Sequence, residues 1–235
     1  MRSLKDIPLY VLSPSRPASD RSRATRDDAR MVLETRHCPT YATVSVRRGS
    51  ALAVKDVPEN GDDFKWTWYS DLLVSEKARS AFDEARITGC GFARAIVDGN
   101  ESSESGPLWE VCVTGFAGFA KGDVVVSDRC DECRIYSYSI PAYGFRDMLD
   151  LTKWDGSDVF AIWPFPLTYI ATQRVAETIA RHCLTGIAVV PIDEEFVKSG
   201  GGAPGMPSFW LSDEAAVRLE ADPDYQRAIA PHVQD

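Results

Sequence analysis

Two cysteines separated by two residues, Cys130 and Cys133, have the spacing with which thiolates grip one zinc ion from a tight turn. A closed structural site needs further ligands, and Cys38, in the run Cys38-Pro-Thr-Tyr41, is the candidate for the third thiolate. His37 is an awkward fourth ligand, because adjacent residues on a strand point to opposite faces. We expect no resident cofactor, with zinc at Cys38, Cys130 and Cys133 as the open alternative.

The other cysteines have the surroundings of core residues. Cys112 lies in an apolar run, Cys183 on the apolar face of a predicted helix, and Cys90 at a predicted strand start. Cysteine in such places behaves as a small buried hydrophobe, so we expect all three inside. Six cysteines are also too few for a disulfide scaffold of this length, which indicates a reducing compartment.

The sequence offers few candidates for a general base and none of the common catalytic motifs. The three histidines, at positions 37, 182 and 232, fall in no motif, and His182 is expected to be structural. Nucleophile elbows, phosphate loops, zinc-protease helices and dinucleotide fingerprints are absent from the sequence. Asp155 and Asp158 offer too few oxygens for calcium, and we expect them to cap a turn. The sequence therefore predicts a protein that is not an enzyme.

The charge distribution favours a basic partner. The net charge is −9, but the first 50 residues carry +5 and the other 185 carry −14. An acidic body repels backbone phosphates, so we expect no nucleic-acid partner. Acidity that serves only solubility is the alternative explanation.

A membrane-spanning segment is not expected. The longest uncharged stretch, residues 159–173, is shorter than a bilayer crossing requires and contains Pro164 and Pro166. The first residues do not form the apolar core of a secretory signal. We therefore expect a cytoplasmic protein without a membrane partner.

The elements that must position these residues are mostly strands. Residues 13–30 are polar and contain prolines, which predicts a mobile segment, and residues 115–123 predict a hairpin. The β-branched and aromatic patterns predict strands at 7–12, 41–46, 51–54, 64–69, 92–97, 108–114, 123–126 and 134–139.

Two stretches share one pattern of capping residue, amphipathic helix, glycine and strand. Ser75 and Thr172 are the capping hydroxyls, and Gly89 and Gly186 follow them at the same spacing. This agreement predicts an internal duplication or two equivalent helix–strand units. The fold class is therefore α+β, with a mainly antiparallel β core, two equivalent capped helix–strand units and a short helical tail.

The tail begins after a break in composition. Residues 199–207 are rich in glycine and proline and predict a linker, after which Ser212 and Pro223 mark the starts of two short helices. We therefore divide the chain into a body, 1–198, and a tail, 199–235. The sequence leaves open whether the tail docks on the body.

Several runs between residues 30 and 195 carry a family resemblance. These runs are Cys38-Pro-Thr-Tyr41, Asp71-Leu-Leu-Val-Ser-Glu-Lys77, Cys130-Asp-Glu-Cys-Arg134, Trp154-Asp-Gly-Ser-Asp-Val-Phe160, Thr172-Gln-Arg-Val-Ala-Glu177 and Leu184-Thr-Gly186. Through them the chain resembles the double-CXXCG motif proteins, a family of myxobacterial paralogues, with a degenerate first motif in which Tyr41 stands where the family has a cysteine.

The resemblance implies an immunity protein that binds and neutralises a cognate polymorphic toxin. Such a protein needs a complementary rigid surface and no catalytic centre, and an acidic surface suits a basic toxin. A binding module organised around a CxxC metal site is the alternative function, and a hydrolytic enzyme is the third. The candidate contact acids are Asp62, Asp63, Asp193, Glu194, Glu195, Asp213 and Glu214.

Overall fold

The structure is a computed structural model that describes residues 7–15, 23–38, 42–47, 51–98, 106–130, 136–140, 142–197, 200–201, 207 and 210–232. The fold is α+β, as predicted, with mainly antiparallel sheets. The helices are α1 (Glu76–Glu84), α2 (Gln173–Arg181), α3 (Asp213–Glu220) and α4 (Pro223–Ile229). The strands are β1 (Leu9–Pro14), β2 (Arg23–Arg26), β3 (Leu33–Cys38), β4 (Ala42–Arg47), β5 (Ala53–Lys55), β6 (Phe64–Thr67), β7 (Leu72–Ser75), β8 (Cys90–Arg94), β9 (Ile96–Val97), β10 (Leu108–Val113), β11 (Gly115–Phe119), β12 (Val125–Arg129), β13 (Tyr136–Ile140), β14 (Tyr143–Gly144), β15 (Val159–Trp163), β16 (Phe165–Thr172), β17 (Ile187–Pro191), β18 (Phe196–Val197) and β19 (Gly200–Gly201).

The first of two equivalent units lies in a seven-stranded sheet with the order β8-β10-β7-β6-β2-β5-β9. The hairpin β6–β7 runs into α1, and β8 follows the helix. Strand β10 inserts between β7 and β8 and is antiparallel to both.

The second unit lies in a five-stranded sheet with the order β11-β15-β16-β1-β17. The hairpin β15–β16 runs into α2, and β17 follows the helix. Strand β1 inserts between β16 and β17, antiparallel to both, as β10 does in the first unit. Each inserted strand comes from outside the stretch of chain that forms the rest of its unit.

The two inserted strands share one register. Leu108 pairs with Ser75 in the first unit, as Leu9 pairs with Thr172 in the second. Trp109 pairs with Arg94, as Tyr10 pairs with Pro191. The indole of Trp109 donates to Glu76 Oε2 at 2.7 Å, and the hydroxyl of Tyr10 donates to Gln173 Oε1 at the equivalent helix position. The predicted equivalence of the two helix–strand units is therefore confirmed, down to single side-chain contacts.

Both helices begin where the capping residues predict, but the two caps work differently. The Ser75 hydroxyl accepts the N–H of Ala78 at 3.2 Å. Thr172 accepts no such bond, and its hydroxyl donates to Asp158 at 3.0 Å. The apolar faces of both helices enter one core between the units, which includes Phe64, Val74, Ala78, Phe82, Val159, Tyr169, Val175 and Ile179.

The tail packs on the second unit. Leu219 and Tyr225 are buried in a core that also contains Phe116 and Trp163. Asp222, at the start of α4, is buried, and its carboxylate accepts the N–H of Phe119 at 3.1 Å. Helices α3 and α4 therefore share the core of the body.

Two local expectations were wrong. Part of the segment predicted to be mobile, residues 23–26, is strand β2, which pairs with β5 and β6. Residues 115–119, predicted as part of a hairpin, form strand β11, which pairs in parallel with β15. In both places the neighbouring strands supply hydrogen-bond partners that the local sequence does not reveal.

No helix in the described ranges is long and apolar enough to cross a membrane.

Candidate protein-binding surface

A buried aspartate, Asp63, joins the first unit to the end of the second helix. Its carboxylate accepts hydrogen bonds from the hydroxyl of Ser75 at 2.9 Å, from Lys77 at 3.1 Å and from the N–H of Thr185 at 3.1 Å. Its own N–H donates to the hydroxyl of Thr185 at 3.2 Å. Burial favours a raised pKa for Asp63, but the hydrogen bonds, that from Lys77 first, outweigh it and hold the pKa below its ordinary value.

Asp158 occupies the equivalent place in the second unit. Its carboxylate accepts from the hydroxyl of Thr172 at 3.0 Å, from Arg174 at 3.2 Å, and from the N–H and the hydroxyl of Thr88 at 3.0 Å each. The turn-capping role expected for Asp158 is therefore not its main one. Asp155 does fill such a role, since its Oδ1 accepts the N–H of Ser157 at 3.0 Å.

Asp63 and Asp158, which occupy equivalent places in the two units, both have structural roles. The hydrogen-bonding positions of each carboxylate face donors from the protein, so neither has the geometry of a general base facing a cleft. Asp63, one of the candidate contact acids, is only 7% exposed. It is therefore not available to a partner protein, and the expectation that it lies on the binding surface was wrong; Asp62 beside it is half-buried.

The three acids at 193–195 lie beside an exposed aromatic ring. Asp193 and Glu194 are exposed, Glu195 is half-buried, and the Phe196 side chain that follows is 68% exposed. Arg146 donates from Nε to Asp193 at 2.6 Å and so holds one end of the segment. We call residues 193–196 the acidic–aromatic segment.

The other acidic pair begins helix α3. Asp213 and Glu214 are exposed in its first turn, after the Ser212 hydroxyl has capped the helix by accepting the N–H of Ala215 at 3.3 Å. Val217, one turn further on, is 65% exposed. Positions three and four apart share a helix face, so Val217 lies on the same face as both acids.

An aromatic turn was missed by the sequence analysis. Residues 67–71 connect β6 to β7, and Trp68 and Tyr69 at its tip are 42% and 57% exposed. The guanidinium of Arg23 lies 5.7 Å from the centre of the Trp68 ring, and that of Arg26 lies 4.6 Å from the Tyr69 ring. We call residues 67–71 the aromatic turn.

Asp71 fixes the shape of the aromatic turn. Arg26 holds its carboxylate with two hydrogen bonds, at 2.7 and 2.5 Å, and the hydroxyl of Thr67 donates to it at 2.5 Å. Ser70 has a positive φ of 66°, and its carbonyl accepts from the hydroxyl of Tyr169 at 3.2 Å. Because Ser70 is not one of the residues that favour this conformation, residues 67–71 carry no turn signal, and the strand predicted at 64–69 extended through Trp68 and Tyr69.

A small recess lies beside the start of β2. Arg23, Lys65 and Trp66 line it, together with Pro14, Ser15, Asn60, Asp62, Phe64 and Gly186. Lys65 is buried, which lowers its pKa, and its ammonium donates to the carbonyl of Pro58 at 2.7 Å and to Asn60 at 2.9 Å. In the described part of the chain, Arg23 Nε and Trp66 Nε1 are buried donors without an acceptor.

A shallow groove of about 270 Å³ runs between β11 and the tail. Its two cations face aspartates: Lys153 lies 2.7 Å from Asp222, and Arg218 lies 3.0 Å from Asp155. These ion pairs hold the tail on the second unit, which accounts for the charged groups of the groove without a ligand.

The zinc hypothesis stays a prediction. Cys133 lies outside the described residues, Cys130 is buried, and Cys38 ends strand β3. Among the residues that the structure describes, no three metal-binding side chains cluster. Cys183 was expected in the core but is exposed, because α2 ends at Arg181 and Cys183 lies in the turn that follows, with a positive φ of 49°.

The sequence matches no protein-family model, and no curated protein matches it.

Proposed function

We propose that this protein is an immunity protein, which binds and neutralises a basic cognate toxin in the bacterial cytoplasm without catalysis. The observation that carries the proposal is that the acidic segments at 193–195 and 213–214 each have an exposed apolar side chain beside them. Phe196 follows Asp193 and Glu194, and Val217 shares a helix face with Asp213 and Glu214.

This arrangement suits a protein partner of positive charge. Buried aromatic anchors supply most of the affinity at protein interfaces, and surrounding charges steer the encounter and select the partner. The net charge of −9 adds a long-range attraction for a basic toxin. Arg146 reinforces the arrangement, because its bond to Asp193 orders the acidic–aromatic segment before binding.

The first experiment is co-expression with the product of the gene immediately upstream, with growth rescue and co-purification scored together. We expect rescue and a stable complex. No rescue from a toxic neighbour, or rescue without a complex, would contradict immunity by direct binding.

Variants of the acidic–aromatic segment then test the surface. Phe196→Ala should weaken the complex by about 2 kcal/mol, the scale of a hot-spot residue. Reversing the charges of Asp193, Glu194 and Glu195 to lysine should slow association and flatten its dependence on salt. Glu84→Lys, at an exposed acid on α1, is the matched control. An unchanged salt dependence in the triple variant removes the segment from the interface while leaving the proposed function standing.

A further inference from the structure

We propose that the aromatic turn and Arg23 form a second docking surface, whose occupant is a protein segment with a carboxylate beside an apolar side chain. The charge chemistry of this partner is the opposite of a basic toxin's, so the inference does not rest on the proposed function. Three features of the described residues carry it: Arg23, the recess next to it, and the two exposed rings.

Arg23 and Arg26 lie on the same short strand but differ in their partners. Arg26 forms a bidentate ion pair with Asp71. Arg23 has no carboxylate partner in the described chain; it donates from one terminal nitrogen to the carbonyl of Thr67 at 3.4 Å, and its Nε has no acceptor. Moving the guanidinium toward an acceptor on a partner therefore breaks one long hydrogen bond and no ion pair, and a small movement keeps it beside the Trp68 ring.

The charges that line the recess favour an anionic group at its mouth. Arg23 is opposite Trp66 in the parallel pairing of β2 and β6, and both side chains line the recess. Its charged lining residues are two cations, Arg23 and Lys65, and one carboxylate, Asp62. Lys65 donates to a carbonyl and an amide oxygen rather than to a carboxylate, while the nearby charges of Asp62 and Asp63 favour its protonated form.

Trp68 and Tyr69 supply the apolar part of the surface. Each ring is backed by a guanidinium, and the turn beneath them is fixed by Asp71 and Thr67. A partner that packs on such rings loses little conformational entropy, because the rings are already ordered. Tryptophan, tyrosine and arginine are also the residue types that most often dominate protein interfaces.

The test is a selection from a random peptide display library on the full chain, with depletion on a Trp68→Ala/Tyr69→Ala variant. We expect an enriched consensus with aspartate or glutamate next to an apolar residue. The synthetic consensus peptide should bind about tenfold more weakly to Arg23→Gln, in which the charged donor is lost. Arg94→Gln, at an exposed arginine on β8 of the same sheet, is the control and should bind normally.

Three results would overturn the inference. The first is no enrichment over the depleted variant, and the second is a consensus without a carboxylate or with affinity unchanged by Arg23→Gln. In the third, sodium acetate displaces the peptide at a concentration no higher than the peptide's own dissociation constant, which would identify a small-anion site to which the rings contribute nothing. Each is independent of rescue from the toxin, so failure here and failure of the proposed function are separate outcomes.

Discussion

Thr88 and Asp158 bind each other through three hydrogen bonds of 3.0 Å, although 70 positions separate them in the chain. The N–H and the hydroxyl of Thr88 donate to the carboxylate, and the N–H of Asp158 donates back to the threonine oxygen. Thr185 and Asp63 repeat this arrangement across 122 positions. Each pair joins the end of one unit's helix to the hairpin of the other, so the two units stabilise each other reciprocally.

Removal of one carboxylate should therefore destabilise the whole fold. We expect Asp158→Ala to lower the free energy of unfolding by about 2 to 4 kcal/mol, because the buried carboxylate of Asp158 accepts hydrogen bonds from Thr88, Thr172 and Arg174, and all of them are lost. Asp83→Ala, at an exposed residue on α1, is the control and should cost about 0.5 kcal/mol. Urea denaturation of both variants measures the difference, and equal losses would contradict the role assigned to Asp158.

The glycines that follow the two helices should be irreplaceable. A Cβ at Gly89 would lie 2.0 Å from the carbonyl oxygen of Val159, and one at Gly186 would lie 2.2 Å from that of Phe64. Both glycines also have φ above +79°. We expect Gly89→Ala and Gly186→Ala each to cost about 3 kcal/mol or more, or to prevent folding.

Gly91 provides the matched comparison for these glycines, because a Cβ there meets nothing within 4 Å. Gly91→Ala should change the free energy of unfolding by less than about 1 kcal/mol. Thermal unfolding of the three purified variants ranks their stabilities. A Gly91 variant as unstable as the other two would show that close approach is not the reason for glycine at 89 and 186.

Stability should fall in acid partly through Asp63. Its folded-state pKa is lowered, so the stabilisation from the ionised carboxylate is complete above the unfolded value, about 3.9, and is lost as pH falls through the folded value. We expect the gap in unfolding free energy between wild type and Asp63→Asn to be constant near neutral pH and to narrow below about pH 4. Urea midpoints across this range measure the gap. A gap of constant size would contradict the lowered pKa of Asp63.

Two cysteines should differ sharply in reactivity. Burial raises the pKa of Cys90 to about 12, whereas Cys183 is exposed. Because the thiolate is the reactive form, iodoacetamide at mildly alkaline pH should alkylate Cys183 in the native protein well before Cys90. Peptide mass spectrometry measures which of the two cysteines is alkylated first. The control is labelling in denaturant, where both should react at similar rates. Faster labelling of Cys90, which is half-buried, would contradict its raised pKa in the native protein.

The repeated units were predictable because their signals are local. Ser75 and Thr172 mark helix starts, and Gly89 and Gly186 mark helix ends, within single stretches of chain. The partners of Asp63 were not predictable, because an acidic pair next to a turn has the pattern of a solvated surface. Only the distant Thr185 and the helix residues Ser75 and Lys77 give its carboxylate enough donors to stay buried.

The candidate surfaces also differ in whether the sequence reveals them. The exposed acids of residues 193–195 and 213–214 were visible as charge runs, whereas the aromatic turn was hidden. Trp68 and Tyr69 continue the alternation of a strand, and only the long-range contacts of Ser70 with Tyr169 and of Asp71 with Arg26 bend the chain there.

The insertion of β1 between β16 and β17 also sets an order of events during synthesis. The ribosome makes β1 before either of its neighbours, which both lie beyond residue 164. At elongation rates of about 5 to 20 residues per second, on the order of ten seconds pass before they emerge. Until then the apolar β1 strand has neither neighbour, so a chain released early would present unpaired strand edges that are prone to aggregation. Nascent-chain capture by chaperones should therefore persist until Pro191 has left the ribosome.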